Sequence, residues 1–178
     1  MSAKGIIGLA LLAAFSLAGS GCMTGSGLEV GAYGSTMDAD DLGTGYGGGA
    51  KVELNPIDIV SVDGRAGWIR FSDADIDMFP LEAAGLLNLP ILFEHIVPYA
   101  GAGIGYYMFN GDGGDLDDEV GYFPLIGLEI GLHSLSLLAE ARYVFLETDV
   151  RNGQGSLAGV DKVKLDGTAV NVGLLVRF

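Results

Sequence analysis

The chain ends on Thr168-Ala169-Val170-Asn171-Val172-Gly173-Leu174-Leu175-Val176-Arg177-Phe178, and two interleaved sets of positions run through that stretch. Val170, Val172, Leu174, Val176 and Phe178 are all apolar, while Ala169, Asn171, Gly173, Leu175 and Arg177 are mostly small or polar. A period of two places each set on its own face of an extended strand, so the segment predicts a β-strand with one apolar face. Working upstream, the same rhythm recurs through Ser136–Phe145, Ile126–His133, Pro98–Met108, Leu81–Asn88, Val60–Trp68, Tyr46–Leu54 and Leu28–Tyr33. Eight strands are expected in all, with no strong helix among them. Near Ile69–Phe71 the alternation slips, and a β-bulge is expected there.

The connections sort into two kinds. Asn55-Pro56-Ile57-Asp58 and His133-Ser134 are short, and Leu89–Ile96 is intermediate. Thr36–Leu42, Ser72–Asp77, Asn110–Glu119 and Glu147–Gly167 are longer and polar. In an up-and-down sheet of eight strands, all the long connections fall on one rim and the short ones on the other. Closing the sheet removes its unpaired edges. Beyond the first segment no apolar run reaches the ~18–20 residues that a spanning helix needs.

Composition sharpens this architecture. The chain of 178 residues is 49% hydrophobic, yet carries 23 acidic against 9 basic residues and a formal charge of −14. Its mean hydropathy is +0.42 and its pI about 4.2. No basic stripe is present to neutralise phosphates, which excludes nucleic acid as a partner. Fifteen acidic residues fall in the four longer connections, in the runs Asp38, Asp40, Asp41; Asp73, Asp75, Asp77; Asp112, Asp115, Asp117, Asp118, Glu119; and Glu147, Asp149, Asp161, Asp166. Only Arg151, Lys162 and Lys164 offset them.

Within the strands, Glu29, Lys51, Glu53, Asp63, Arg65, Glu82, Glu129, Glu140, Arg142 and Arg177 all oppose the apolar stripe, and Arg70 is the exception. A soluble barrel would carry its charges outside. Charges of both signs on the glycine-rich face point instead to a narrow polar interior, with the apolar face turned to lipid. Glu140 with Arg142, together with Lys51, Arg65, Glu82 and Glu129, is expected to form an ion-pair network in the lumen, since buried charges need partners. Eight strands enclose only enough room for side chains, so the interior should be plugged. Tyr46, Trp68, Tyr106, Tyr122, Tyr143 and Phe178 are placed to form interfacial girdles.

Residues 1–21 have the layout of a secretory signal: Lys4, an apolar run from Ile6 to Leu17, then small residues to Gly21. Cys22 follows directly, and as the only cysteine it makes no internal disulfide. Two readings stay open, lipidation of Cys22 and ordinary cleavage beside it. The chain therefore divides into a signal at 1–21, a linker at 22–27 and a barrel at 28–178.

Two motifs carry a family resemblance. Pro98-Tyr99-Ala100-Gly101-Ala102-Gly103-Ile104-Gly105-Tyr106 and the terminal Val176-Arg177-Phe178 resemble elements of the small outer-membrane β-barrels, the group around the transmembrane domain of outer membrane protein A and related porin-like proteins. That resemblance implies an all-β, eight-stranded antiparallel up-and-down transmembrane β-barrel in the bacterial outer membrane. It implies outer-membrane lipids and lipopolysaccharide as surroundings, and a barrel-assembly machinery that reads Phe178 as its C-terminal signal. A lipidated Cys22 departs from the family's habit.

Candidate chemistry is sparse. Gly43–Gly49 and Gly101–Gly105 lack the Gly-Lys-Ser/Thr ending of a phosphate loop. Asp73–Asp77 and Asp112–Glu119 offer carboxylates to divalent cations without the EF-hand spacing, so weak binding that bridges to lipopolysaccharide phosphates is the most they imply. His133 and Ser134 with Glu129 raise a hydrolase reading, but a nucleophile needs a base oriented against it and the spacing gives none. No enzyme activity, cofactor or resident metal is expected. The expected role is structural or surface interaction through acidic extracellular loops. The alternatives are a narrow channel for small solutes and a soluble periplasmic lipoprotein barrel holding a lipid-like ligand.

Overall fold

A computed structural model describes residues 27–89, 95–111, 114–132, 134–153 and 162–178. Among these residues there is no helix. Eleven strands follow one another: β1 (Gly27–Ala39), β2 (Gly43–Ile57), β3 (Val60–Phe71), β4 (Ile76–Asn88), β5 (Ile96–Gly111), β6 (Gly114–Leu116), β7 (Glu119–Leu132), β8 (Leu135–Val144), β9 (Glu147–Gly153), β10 (Lys162–Lys164) and β11 (Gly167–Arg177). Eight of them close into an antiparallel barrel in the order β1-β11-β8-β7-β5-β4-β3-β2. The seam joins the first strand to the last from Glu29 opposite Arg177 to Ala39 opposite Gly167. β6, β9 and β10 form a separate three-stranded sheet within the two long connections.

The pleat follows the sequence period. Leu174, Val172 and Val170 are exposed on the outside of β11, while Leu175, Asn171 and Ala169 are buried inside. Ile104, Val120, Ile126, Leu128 and Leu137 continue the apolar exterior on neighbouring strands. Tyr46, Trp68, Tyr106, Tyr122, Tyr143 and Phe178 also face outward. Tyr122 stacks on Phe145 with ring centroids 4.8 Å apart.

Three features depart from the sequence reading. The first two long connections are tight turns, because β1 runs on to Ala39 and β3 ends only four residues before β4 begins. Gly43 at φ +71° and Asp75 at φ +56° give those turns their reversals. The expected bulge at Ile69–Phe71 does not occur. Register between β3 and β4 resumes unshifted from Ala66–Leu81 to Ile69–Met78. The irregularity sits instead between Leu54 and Ile57 on β2, where Pro56 removes a ladder donor and the strand persists through the expected turn. What slips at Ile69 is the residue type: Ile69 and Phe71 point inward and are buried, and Arg70 points outward.

Candidate functional site

The barrel interior has two storeys. Nearer the rim that carries the short turns and both strand termini lies a polar layer. Lys51 Nζ stands 2.8 Å from Glu53 Oε2 and 3.2 Å from Asp63 Oδ2. Asp63 in turn meets Arg65 at 2.5 Å, and Arg65 Nη1 crosses the lumen to Glu140 Oε1 at 2.5 Å. Glu140 also accepts hydrogen bonds from the Tyr99 hydroxyl at 3.1 Å and from Asn171 Nδ2 at 3.1 Å. A second group pairs Arg142 with Glu82, which accepts from the Tyr107 hydroxyl at 2.9 Å. Phe123 lies under both guanidinium groups, 6.0 Å from Arg65 and 5.2 Å from Arg142.

Glu140 and Arg142 share the inward face of β8, yet each finds its ion-pair partner on another strand. Residues two apart on a strand point the same way. Lys51 with Glu53 and Arg65 with Asp63 pair along one strand, whereas Glu140 and Arg142 both pair across the lumen. Glu129 stands apart from the other five expected network residues. It meets Arg177 at 3.1 Å at the turn-end mouth, where Arg177 also holds Glu29 at 2.7 Å. Asn55 completes this mouth by donating to Glu29 at 3.4 Å.

The loop-end storey is apolar. Met37, Phe71, Met78 and Val144 have no exposed surface, and Ile69, Ile76, Leu146, Leu165 and Ala169 pack with them in a cluster that continues past the charged side chains through Phe123 and Leu125 to Leu86 and Leu138 near the turn end. The sequence reading placed apolar residues on the lipid face and missed this second core. Its trace was the apparent slip at Ile69–Phe71.

Inward glycines make room for rings. A Cβ on Gly127 would lie 2.3 Å from Tyr99 Cζ, one on Gly49 2.6 Å from the Tyr33 hydroxyl, and one on Gly103 2.5 Å from Phe123 Cζ. Each ring therefore occupies space that a side chain on a glycine of an adjoining strand would need. The tyrosines Tyr33, Tyr99 and Tyr107 were not singled out by period alone, because their glycine partners are found only once register is known.

At the loop rim several acidic side chains serve the backbone. Asp41 accepts from Lys164 N at 2.8 Å, Asp166 from Leu146 N at 2.8 Å and Asp118 from Phe109 N at 3.2 Å. Arg70 pairs with Asp75 and, at 2.8 Å, with Asp77, which also accepts from Trp68 Nε1 at 3.1 Å. Among the described residues no set of three or more His, Cys, Asp or Glu side chains is arranged to hold a metal ion. Cys22, Asp112, His133 and Asp161 lie outside the described residues. Ser134 occupies the β7–β8 turn, its carbonyl accepting from Arg177 N at 2.9 Å.

A closed, eight-stranded barrel with a lipid-facing apolar exterior and a charge-paired interior defines a transmembrane β-barrel of the outer-membrane class. Residues 7–178 match the family model of the outer membrane protein beta-barrel domain, and the chain belongs to that family. It is a bacterial outer-membrane protein. No curated protein matches it significantly. Among solved structures it is similar to the outer membrane protein OprG of Pseudomonas aeruginosa, with a TM-score of 0.64 and 16% identity over 87% of this chain and 96% of that one. Neisserial surface protein A gives a TM-score of 0.63 and 17% identity over 87% and 98%. The outer membrane protein AlkL gives 0.60 and 20% over 90% and 93%. At these identities the likeness is one of fold.

Proposed function

We propose that this barrel is a closed, non-enzymatic envelope protein that works through its acidic loop rim, in a structural or surface-interaction role. The observation that carries this reading is the filled interior: charged side chains tie strand to strand across the lumen, and apolar side chains with no exposed surface pack above them. A conducting path needs continuous solvent, and ions do not cross a layer of packed apolar side chains without a large desolvation penalty. The filled interior among the described residues supports the closed reading over the channel alternative.

Outer-membrane lipids and lipopolysaccharide are the partners this reading assigns. The acidic rim would meet lipopolysaccharide phosphates only through divalent cations held weakly between like charges. Phe178, exposed at the end of the seam, suits recognition by the barrel-assembly machinery. Planar-bilayer recording of the purified barrel, paired with protease treatment of intact cells, tests the reading. Silent bilayers and cleavage within the acidic loops are expected. Unitary conductance on the scale of a general porin would overturn it.

A further inference from the structure

Glycines on the two faces of the barrel wall answer different needs. Inward ones such as Gly49, Gly103 and Gly127 leave space that Tyr33, Phe123 and Tyr99 occupy. Gly64 on β3 and Gly85 on β4 point outward, and a Cβ on either would meet nothing within 4 Å. No side chain of the protein uses the room they leave. Glycine inside a strand weakens it, and marks a bulge, a tight bend or the close approach of a ligand. Neither position is a bulge: Gly64 stays opposite Val52 and Ala83, and Gly85 opposite Val62 and Ala102.

Around Gly85 the outer wall is hollowed. A depression of about 440 Å³ is lined by Val62, Ala83, Gly85, Ala102 and Ile104, with no polar side chain among its lining residues. Val62 and Ile104 stand up beside it, 51% and 64% exposed. Leu81 and Leu87 are the next outward residues of β4 beyond its floor. Elsewhere the wall is built differently. The outward residues Ile126, Leu128 and Ile130 of β7, and Val170, Val172 and Leu174 of β11, are bulky and exposed one after another. The depression lies in the half of the wall nearer the turn rim, since Val62 closely follows the β2–β3 turn and Gly85 closely precedes the end of β4.

We propose that this hollow seats one acyl chain of a phospholipid from the leaflet on the turn side of the membrane. The apolar exterior meets hydrocarbon, so acyl chains surround the hollow on every side. Space left empty there forfeits dispersion contacts along its lining. A slender, flexible chain enters between Val62 and Ile104 and lies against the bare backbone at Gly85. A second barrel does not fit as well: its convex wall would rest on Val62 and Ile104 and bridge the hollow without filling it. Depth selects the lipid. Short turns mark the periplasmic side of such barrels, whereas lipopolysaccharide would approach from the acidic rim at the other end. The seat lies outside the lumen and goes beyond the envelope role proposed above.

The test uses the full chain in vesicles of phosphatidylethanolamine and phosphatidylglycerol, doped with a phospholipid that carries a photoreactive diazirine midway along one acyl chain. After irradiation, mass spectrometry of the peptides reads adducts residue by residue. Adducts should gather on Val62, Ala83, Ala102 and Ile104, several-fold above Val172 on β11. Gly85→Leu fills the hollow, and its Cβ meets no atom of the protein. It should bring those four positions down to the Val172 level and leave heat-modified gel mobility unchanged. Even labelling around the wild-type wall overturns the proposal, as does a Gly85→Leu pattern like that of the wild type. Stronger labelling of these positions by a lipid A probe of the same design, or cross-links joining two barrels through them, would give the hollow another occupant and sink it too. Ala83→Leu, which fills the same floor, replaces Gly85→Leu if that variant fails to fold, and should lower the adducts at Val62, Ala102 and Ile104. The wild-type pattern needs no substitution at all.

Discussion

Arg65 and Glu140 face each other across the lumen from strands 75 positions apart, joined by two hydrogen bonds of 2.5 and 3.2 Å. Both side chains are almost wholly buried, at 1% and 0% exposure. Glu140 is also the acceptor for Tyr99 and Asn171, so one carboxylate ties β8 to β3, β5 and β11. Glu140→Ala leaves the Arg65 guanidinium with Asp63 alone and should cost about 3–5 kcal/mol. Arg65→Met combined with Glu140→Leu should cost less than Glu140→Ala, because no buried charge is stranded. Urea unfolding in lipid vesicles, followed through the single tryptophan Trp68, measures both. A double variant less stable than the single would contradict this account.

Two glycines on opposite faces differ sharply in the room around them. A methyl group on Gly127 would meet Tyr99 Cζ at 2.3 Å and its hydroxyl at 2.4 Å, whereas one on Gly64 would meet nothing within 4 Å. Tyr99 cannot move freely, since its hydroxyl is engaged by Glu140. Gly127→Ala should therefore destabilise the barrel by about 1–3 kcal/mol through overpacking. Gly64→Ala should fall within about 0.5 kcal/mol of wild type. The thermal midpoint of heat-modified gel mobility separates the two.

The sequence made the outer face legible and the inner one only in part. On β11 the outward residues from Val170 to Val176 are all apolar, so a period of two identified the strand and its exposed face together. Where both faces are apolar, the period loses its contrast. At Ile69–Phe71 the inward residues turn apolar because they enter the loop-end core, and a change of chemistry looked like a change of geometry. Pairing was hidden for a different reason. That Arg65 meets Glu140, and Arg142 meets Glu82, depends on barrel closure and stagger, which no local pattern encodes. The seating of Tyr99 over Gly127 likewise appears only once β5 and β7 are in register.

Depth in the membrane should govern the outer face. Val172 is 58% exposed near the middle of β11, flanked by Val170 and Leu174 on the same side. Val172→Arg puts a charge against hydrocarbon and should cost about 2–4 kcal/mol. Thr44 is exposed beside the β1–β2 turn, donating to Asp38 Oδ1 at 3.2 Å. Thr44→Arg, close to the acidic rim, should cost about 0–1 kcal/mol. Equal penalties for the two, read by the same vesicle unfolding assay, would argue that the apolar face does not meet lipid.

The turn-end mouth supplies the last test, because it sits where the barrel closes. Arg177 reaches Glu29 across the seam at 2.7 Å and Glu129 on β7 at 3.1 Å. The seam backbone continues past it, with Phe178 N donating to Leu28 O at 2.9 Å. Glu29 is 1% exposed, so removing its cation leaves a buried carboxylate, while the half-exposed guanidinium is already partly screened by water. Arg177→Met should therefore destabilise the barrel by about 1–3 kcal/mol, less than loss of a fully buried partner. Adding Glu29→Gln should restore part of that loss, since the neutral amide no longer needs a cation. Hydrogen exchange should locate the effect, with faster exchange at the turn-end amides of β1 and β11 and little change at Met37. If exchange rises uniformly around the barrel instead, Arg177 acts on global stability and does not latch the seam.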